Sequence, residues 1–183
     1  MTKPLIALPS NSPSPLHVHI NRNGFKESLH EVDVALCDAD GSVILGMGDV
    51  ESVIFPRSAM KPLQSIALIE FLNTLENVPE FSYAEVALIC ASHNGETLHT
   101  DAVQELLSKF DISIDELVCG AHWSMHQETM VSQVRSMNKP HKLHNNCSGK
   151  HAGMLILSKL MGDKTFGYAN LTNAAQQQIL GPL

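Results

Sequence analysis

Residues 55–72, "FPRSAMKPLQSIALIEFL", mark the point at which this chain changes character. Ahead of them the signals are those of strands. "LHVHI" (16–20) alternates apolar and polar residues, and "NRNG" (21–24) supplies a turn ending in Asn-Gly. "VDVALC" (32–37), "DADG" (38–41) and "SVILGMGD" (42–49) continue what reads as an antiparallel meander. After Pro56 the pattern becomes helical. "LQSIALIEFL" (63–72) is apolar on nearly every side, which predicts a helix running through a core. Pro62 is tolerated because it falls in that helix's first turn.

Helical signals then persist. Ser82 and Glu85 form a predicted capping box opening a short helix in "SYAEVALIC" (82–90), which ends at the tight turn of "ASHNGE" (91–96). A helix is predicted over 98–109, a second capping box in "SIDE" (113–116), and further helices over 127–137, 148–161 and 172–180, with Gly162 stopping the longest. "CGAHWSM" (119–125) reads as an irregular loop. Strands first and helices after give an α+β fold. A small meander beside a helical body needs more strands to complete its sheet. The expectation is therefore a flexible leader over 1–15 and a single domain over 16–183 that is C-terminally incomplete.

Composition narrows the function. The chain has 183 residues, is 44% hydrophobic and 17% charged, and is soluble and globular in composition, with room for a real core. A formal charge of −7, with Lys and Arg scattered, argues against nucleic acid. No segment is long and apolar enough to span a membrane, and no secretion signal is legible, so a cytoplasmic location is expected. Cys37 and Cys90 read as buried thiols. His17, His19, His30 and His99 read as single surface histidines, and Trp123 as a core or pocket-wall residue.

Three stretches carry candidate chemistry. Ser58 and Lys61 stand three apart at the strand-to-helix junction, where a lysine packed against an apolar helix can serve as base to a serine hydroxyl. The same spacing recurs at Ser136 and Lys139, but beside a proline loop with nothing apolar behind it. "CASHNGE" (90–96) carries Ser92 and His93 into a glycine turn at a cavity edge, although a helix cap at Gly95 would explain the turn equally. "HNNCSGKHAGML" (144–155) places Cys147 and Lys150 at a helix start, with Asn145 and Asn146 as potential caps. Cys147 there is a candidate metal ligand or reactive thiol, and Gly149 and Gly153 thin one helix face for close approach. The histidines offer no HExxH and the cysteines no pair of Cys-x-x-Cys units, so a closed structural zinc site is not expected.

Taken in order, "FPRSAMKPLQ", "LICASHNGE", "CGAHW" and "LHNNCSGKHAGML" resemble the thermolabile or rhizobial-type asparaginases, the asparaginase II family. The likeness runs from about "NRNGFKESLHEVDVALCDADG" to "QQQIL". It implies a fold similar to serine β-lactamases and glutaminases, and hydrolysis of L-asparagine to L-aspartate and ammonia. Residue by residue, it implies Ser58 as nucleophile with Lys61, Ser92 as a second essential serine, and Arg57 as the neighbouring arginine. We expect Arg57, His93, Asn94 and Gly95 to bind substrate, and the protein to be a homodimer. The resemblance also implies zinc held by Cys147 and Lys150, with a further cysteine and the lysine partner of Ser92 lying downstream of residue 183. Two alternatives stand beside this reading: a β-lactamase or penicillin-binding serine hydrolase, whose "SDN" and "KTG" elements are absent here, and a catalytically dead fragment.

Overall fold

The computed structural model describes residues 11–136 and 138–181. Most of the expected leader and the last residue of the helix predicted over 127–137 lie outside them. The chain divides into two compact units, 1–55 and 56–183.

Among the described residues, five strands lie in the first unit, as two separate small sheets. In one, β2 (Leu16–Arg22) and β3 (Phe25–Val32) form an antiparallel hairpin whose turn places Asn23 and Gly24 at positive φ. In the other, β4 (Val34–Cys37) pairs antiparallel with β5 (Val43–Met47), and β1 (Asn11–Ser12) adds to β5 in parallel. The strands-then-helices order of the α+β reading holds, and neither sheet closes. The single meander does not hold. "FKESLHEV" forms its own strand and pairs only with β2, so β4 begins a second sheet. Cys37 is exposed at the end of β4, contrary to its reading as a buried thiol.

The second unit is helical. A short 3-10 turn, Arg57–Met60, leads into α1 (Lys61–Leu72) with Pro62 in the first turn, as its fixed φ permits. α2 (Tyr83–Cys90) opens on the predicted capping box: Ser82 Oγ accepts from Glu85 N–H, and Glu85 accepts from Ser82 N–H. Glu85 also pairs with Lys109 at 3.1 Å, tying α2 to α3 (Thr97–Lys109). The Ser113–Glu116 box is present too, but it caps a 3-10 turn. α4 (Gln127–Arg135), α5 (Ser148–Leu160) and α6 (Ala174–Leu180) complete the unit.

The central helix is α5, not α1. From Ala152 to Ser158 every residue of α5 is buried, and the helix packs against α1, α2, α3 and α6. Full burial of Leu155, Ile156 and Leu157 contributes about 1.5–3 kcal/mol each. α1 buries Lys61, Ser65, Ala67 and Leu68 but exposes Leu63 and Ile66. The two glycines of α5 explain how it lies so close to α2. A Cβ on Gly149 would strike the Leu88 carbonyl oxygen, and one on Gly153 would touch Ile89. The close approach is therefore made by the α2 backbone at Gly149 and by the side chains of Ile89 and Leu68 at Gly153.

Candidate functional site

Lys61 is the first residue of α1 and is only 2% exposed. A buried lysine nitrogen needs hydrogen-bond partners. The structure supplies three oxygens: Ser92 Oγ at 2.6 Å, the Ala91 carbonyl at 2.9 Å and the Asn146 carbonyl at 3.5 Å. These come from the two other stretches singled out in the sequence. Ala91 and Ser92 follow α2, where the chain leaves the helix in an extended conformation, and Asn146 precedes α5. Lys61 is thus the point where α1, the end of α2 and the entry to α5 converge.

The expected partner of Lys61 is arranged differently. Ser58 lies one 3-10 turn earlier, is exposed, and accepts the Lys61 backbone N–H through its carbonyl. Among the described residues no side-chain hydrogen bond joins Ser58 to Lys61, and the hydroxyl at Lys61 Nζ is that of Ser92. Ser92 is itself exposed. With His93 it borders an open, largely apolar cleft of about 360 Å³, walled by Ala84, Ala87, Leu88 and Leu98. Arg57 is exposed and holds a left-handed backbone (φ 50°), a conformation uncommon outside glycine. Ser136 and Lys139 are both exposed, and neither is among the hydrogen-bond partners of Lys61.

The turn after Ser92 is tightly pinned. His93 N–H donates to the Asn146 carbonyl (3.2 Å). Its ring Nδ1 accepts from Gly95 N–H (3.1 Å), so Nε2 carries the proton and donates to Ser148 Oγ (2.9 Å). Ser148 in turn donates to the Leu143 carbonyl. Both ring nitrogens of His93 are therefore engaged within the protein. Burial, then the proximity of His99, Lys61, His122 and His144, lowers its pKa to about 4, so the imidazole is neutral. Asn94 offers its carbonyl to Met125 N–H and Ser124 Oγ. Gly95, at φ +71°, is buried where a Cβ would meet the His144 backbone. His99 is not a surface residue: its ring stacks on His93 at 5.1 Å.

Sequence reasoning passed over the fourth wall of this site, the loop holding Gly120 and His122. Asn145 Nδ2 donates to the Gly120 carbonyl (2.6 Å), and Asn145 Oδ1 accepts from Cys147 N–H (2.9 Å). Asn146 N–H donates to His122 Nε2 (3.1 Å), and His122 Nδ1 lies 2.6 Å from the Trp123 carbonyl. Trp123 itself is half-buried. Backbone acceptors leave no side-chain signature in a sequence. The available signal is "CGAHW" (119–123), one of the four stretches that carry the family resemblance.

The zinc expectation is corrected. Among the described residues, no group of three or more His, Cys, Asp or Glu side chains is placed to hold a metal ion. Cys147 is half-buried at the start of α5, and Lys150, one turn on, lines a narrow gap with Gln64 and Ser65. A thiol and an amine are two donors, and tetrahedral zinc needs three or four. With the donors present among the described residues, these two do not make a zinc site.

In the described residues no helix is long and apolar enough to cross a membrane. No curated protein matches the chain. The family model described as L-asparaginase II matches residues 18–183, and so spans all three motif stretches and the loop that braces them. A hydrolase family with a buried lysine hydrogen-bonded to a serine is consistent with a Ser–Lys catalytic pair, and by that match the chain belongs to the L-asparaginase II family.

Proposed function

We propose that the protein hydrolyses the side-chain amide of L-asparagine to L-aspartate and ammonia through a serine acyl-enzyme served by Lys61. The observation that carries this reading is the 2.6 Å contact between Lys61 Nζ and Ser92 Oγ. In its neutral form Lys61 takes the hydroxyl proton as the serine oxygen attacks the amide carbon. The tetrahedral intermediate collapses, the C–N bond breaks, and Lys61 returns the proton to the departing nitrogen. Water then attacks the ester as Lys61 takes its proton, and Lys61 passes that proton to the serine oxygen as the C–O bond breaks, releasing aspartate and restoring the serine. Exposed Arg57 is available to the substrate carboxylate, and the turn of His93, Asn94 and Gly95 walls the site.

Ser92 is the hydroxyl that this geometry pairs with the base. Ser58 is a second reading, favoured by its place one 3-10 turn before Lys61 and its exposure. One experiment separates them: brief reaction with asparagine, acid quench, and peptide mapping of the aspartyl adduct, alongside ammonia release by Ser92→Ala, Ser58→Ala and Lys61→Met. An adduct on Ser92 supports the pairing, and one on Ser58 moves the attack there. No ammonia from the unaltered protein, or full activity in Lys61→Met, overturns the proposal.

A further inference from the structure

We propose that His122 is a positioning residue for Lys61, acting through Asn146; the inference rests on the reading of Lys61 as the base. Asn146 is held from both sides. Its N–H donates to His122 Nε2, and its carbonyl accepts from His93 N–H and faces Lys61 Nζ. A peptide N–H has only one role, so Nε2 must be the unprotonated nitrogen. Nδ1 then carries the hydrogen and donates to the Trp123 carbonyl. His122 is thereby fixed in the tautomer opposite to that of His93, whose Nδ1 is the acceptor.

The consequence is a relay of position. The loop carrying His122 is anchored a second time by Asn145 Nδ2 on the Gly120 carbonyl, and backbone pairing joins His122 to His141. Residues 145–146 therefore cannot shift without breaking bonds to this loop. If they shift, Lys61 loses one of its three acceptors, and the chain at His93 loses its tie to the same oxygen. His122 touches neither Lys61 nor Ser92 by hydrogen bond. It acts by keeping the Asn146 carbonyl where the lysine needs it.

The test compares His122→Asn, which withdraws the acceptor from the Nε2 position, with His122→Gln, whose amide oxygen reaches it. Lys61 is read directly by its rate of acylation with an amine-reactive reagent, mapped by mass spectrometry. Ammonia release from asparagine is measured over pH in parallel. Labelling of Lys61 is expected to rise about tenfold in His122→Asn, with a matching fall in kcat at little change in KM, and His122→Gln is expected to recover both. Wild-type labelling in a folded His122→Asn overturns the proposal. Should that variant not fold, His122→Gln decides: labelling close to wild type supports the proposal, and labelling as fast as in denatured protein overturns it. Absence of ammonia from the unaltered protein refutes the function while leaving the labelling result to judge His122.

Discussion

The two glycines of α5 make opposite predictions for the same substitution. At Gly149 an added methyl meets the Leu88 carbonyl oxygen at hard-contact range, with Leu88 Cγ also at 3.0 Å. Because the obstructing atom is backbone, α5 and α2 must separate by about 1 Å to relieve it. Overpacking of this kind costs about 3 kcal/mol, offset by about 1 kcal/mol from the better helix propensity of alanine. Gly149→Ala is therefore expected to lose about 2 kcal/mol of stability. At Gly153 the nearest atoms are Ile89 Cγ2 at 3.3 Å and Leu68 Cδ2 at 3.6 Å, side chains that can yield by a few tenths of an ångström. There the propensity gain wins, and Gly153→Ala should be neutral or stabilising by up to about 1 kcal/mol. Urea denaturation followed by far-UV circular dichroism measures both. The reasoning fails if Gly149→Ala lies within about 0.5 kcal/mol of the unaltered protein, or if the order of the two variants is reversed.

Lys61→Met should reduce ammonia release from asparagine by at least about 100-fold, the usual scale for a lost general base, in a steady-state assay. Stability should fall with acid. His93 and His151 are both held near pKa 4 by burial first, then by neighbouring charges, against about 6.5 when unfolded. Unfolded chains therefore bind more protons between these values, so stability is full above pH 6.5 and declines as pH falls toward 4, by on the order of 3 kcal/mol for each histidine. Urea midpoints that are equal at pH 7 and pH 4.5 would contradict this. Tyr168→Phe removes a fully buried hydroxyl that accepts from Val118 N–H (3.0 Å) and lies 2.7 Å from His151 Nδ1. Two polar groups lose their partner, and a loss of about 1–3 kcal/mol is expected in the same denaturation assay.

What the sequence made legible was local. Ser82 with Glu85, Pro62 in a first turn, and Gly162 after α5 each announce an element end through backbone chemistry, and each is found there. α5 was legible to within a residue because its apolar run is long and its stop is a glycine. Which helix lies innermost was not. α1 and α5 both read as apolar, and only the small face at Gly149 and Gly153, fitted to α2, distinguishes them. The site showed the same division. Lys61 and Ser92 were legible as residue types, but their pairing was not, since spacing of three drew attention to Ser58 while the hydroxyl at Nζ comes from the extended segment that follows α2. The zinc expectation failed for a related reason: Cys147 and Lys150 suit a metal individually, but a coordination sphere depends on neighbours that adjacency in sequence does not supply.

The convergence on Lys61 also joins chain closures of unequal entropic cost. Its tie to Ser92 closes a chain segment of 31 residues, whereas its tie to Asn146 closes one of 85. By loop-closure entropy the longer closure costs about 0.9 kcal/mol more. In a flexible chain, the serine contact is therefore the less costly of the two to close, and the contact with the carbonyl that fixes the lysine's angle the more costly. The pair thus depends on a shorter closure than its brace does, and the brace is also the longer contact, at 3.5 Å against 2.6 Å.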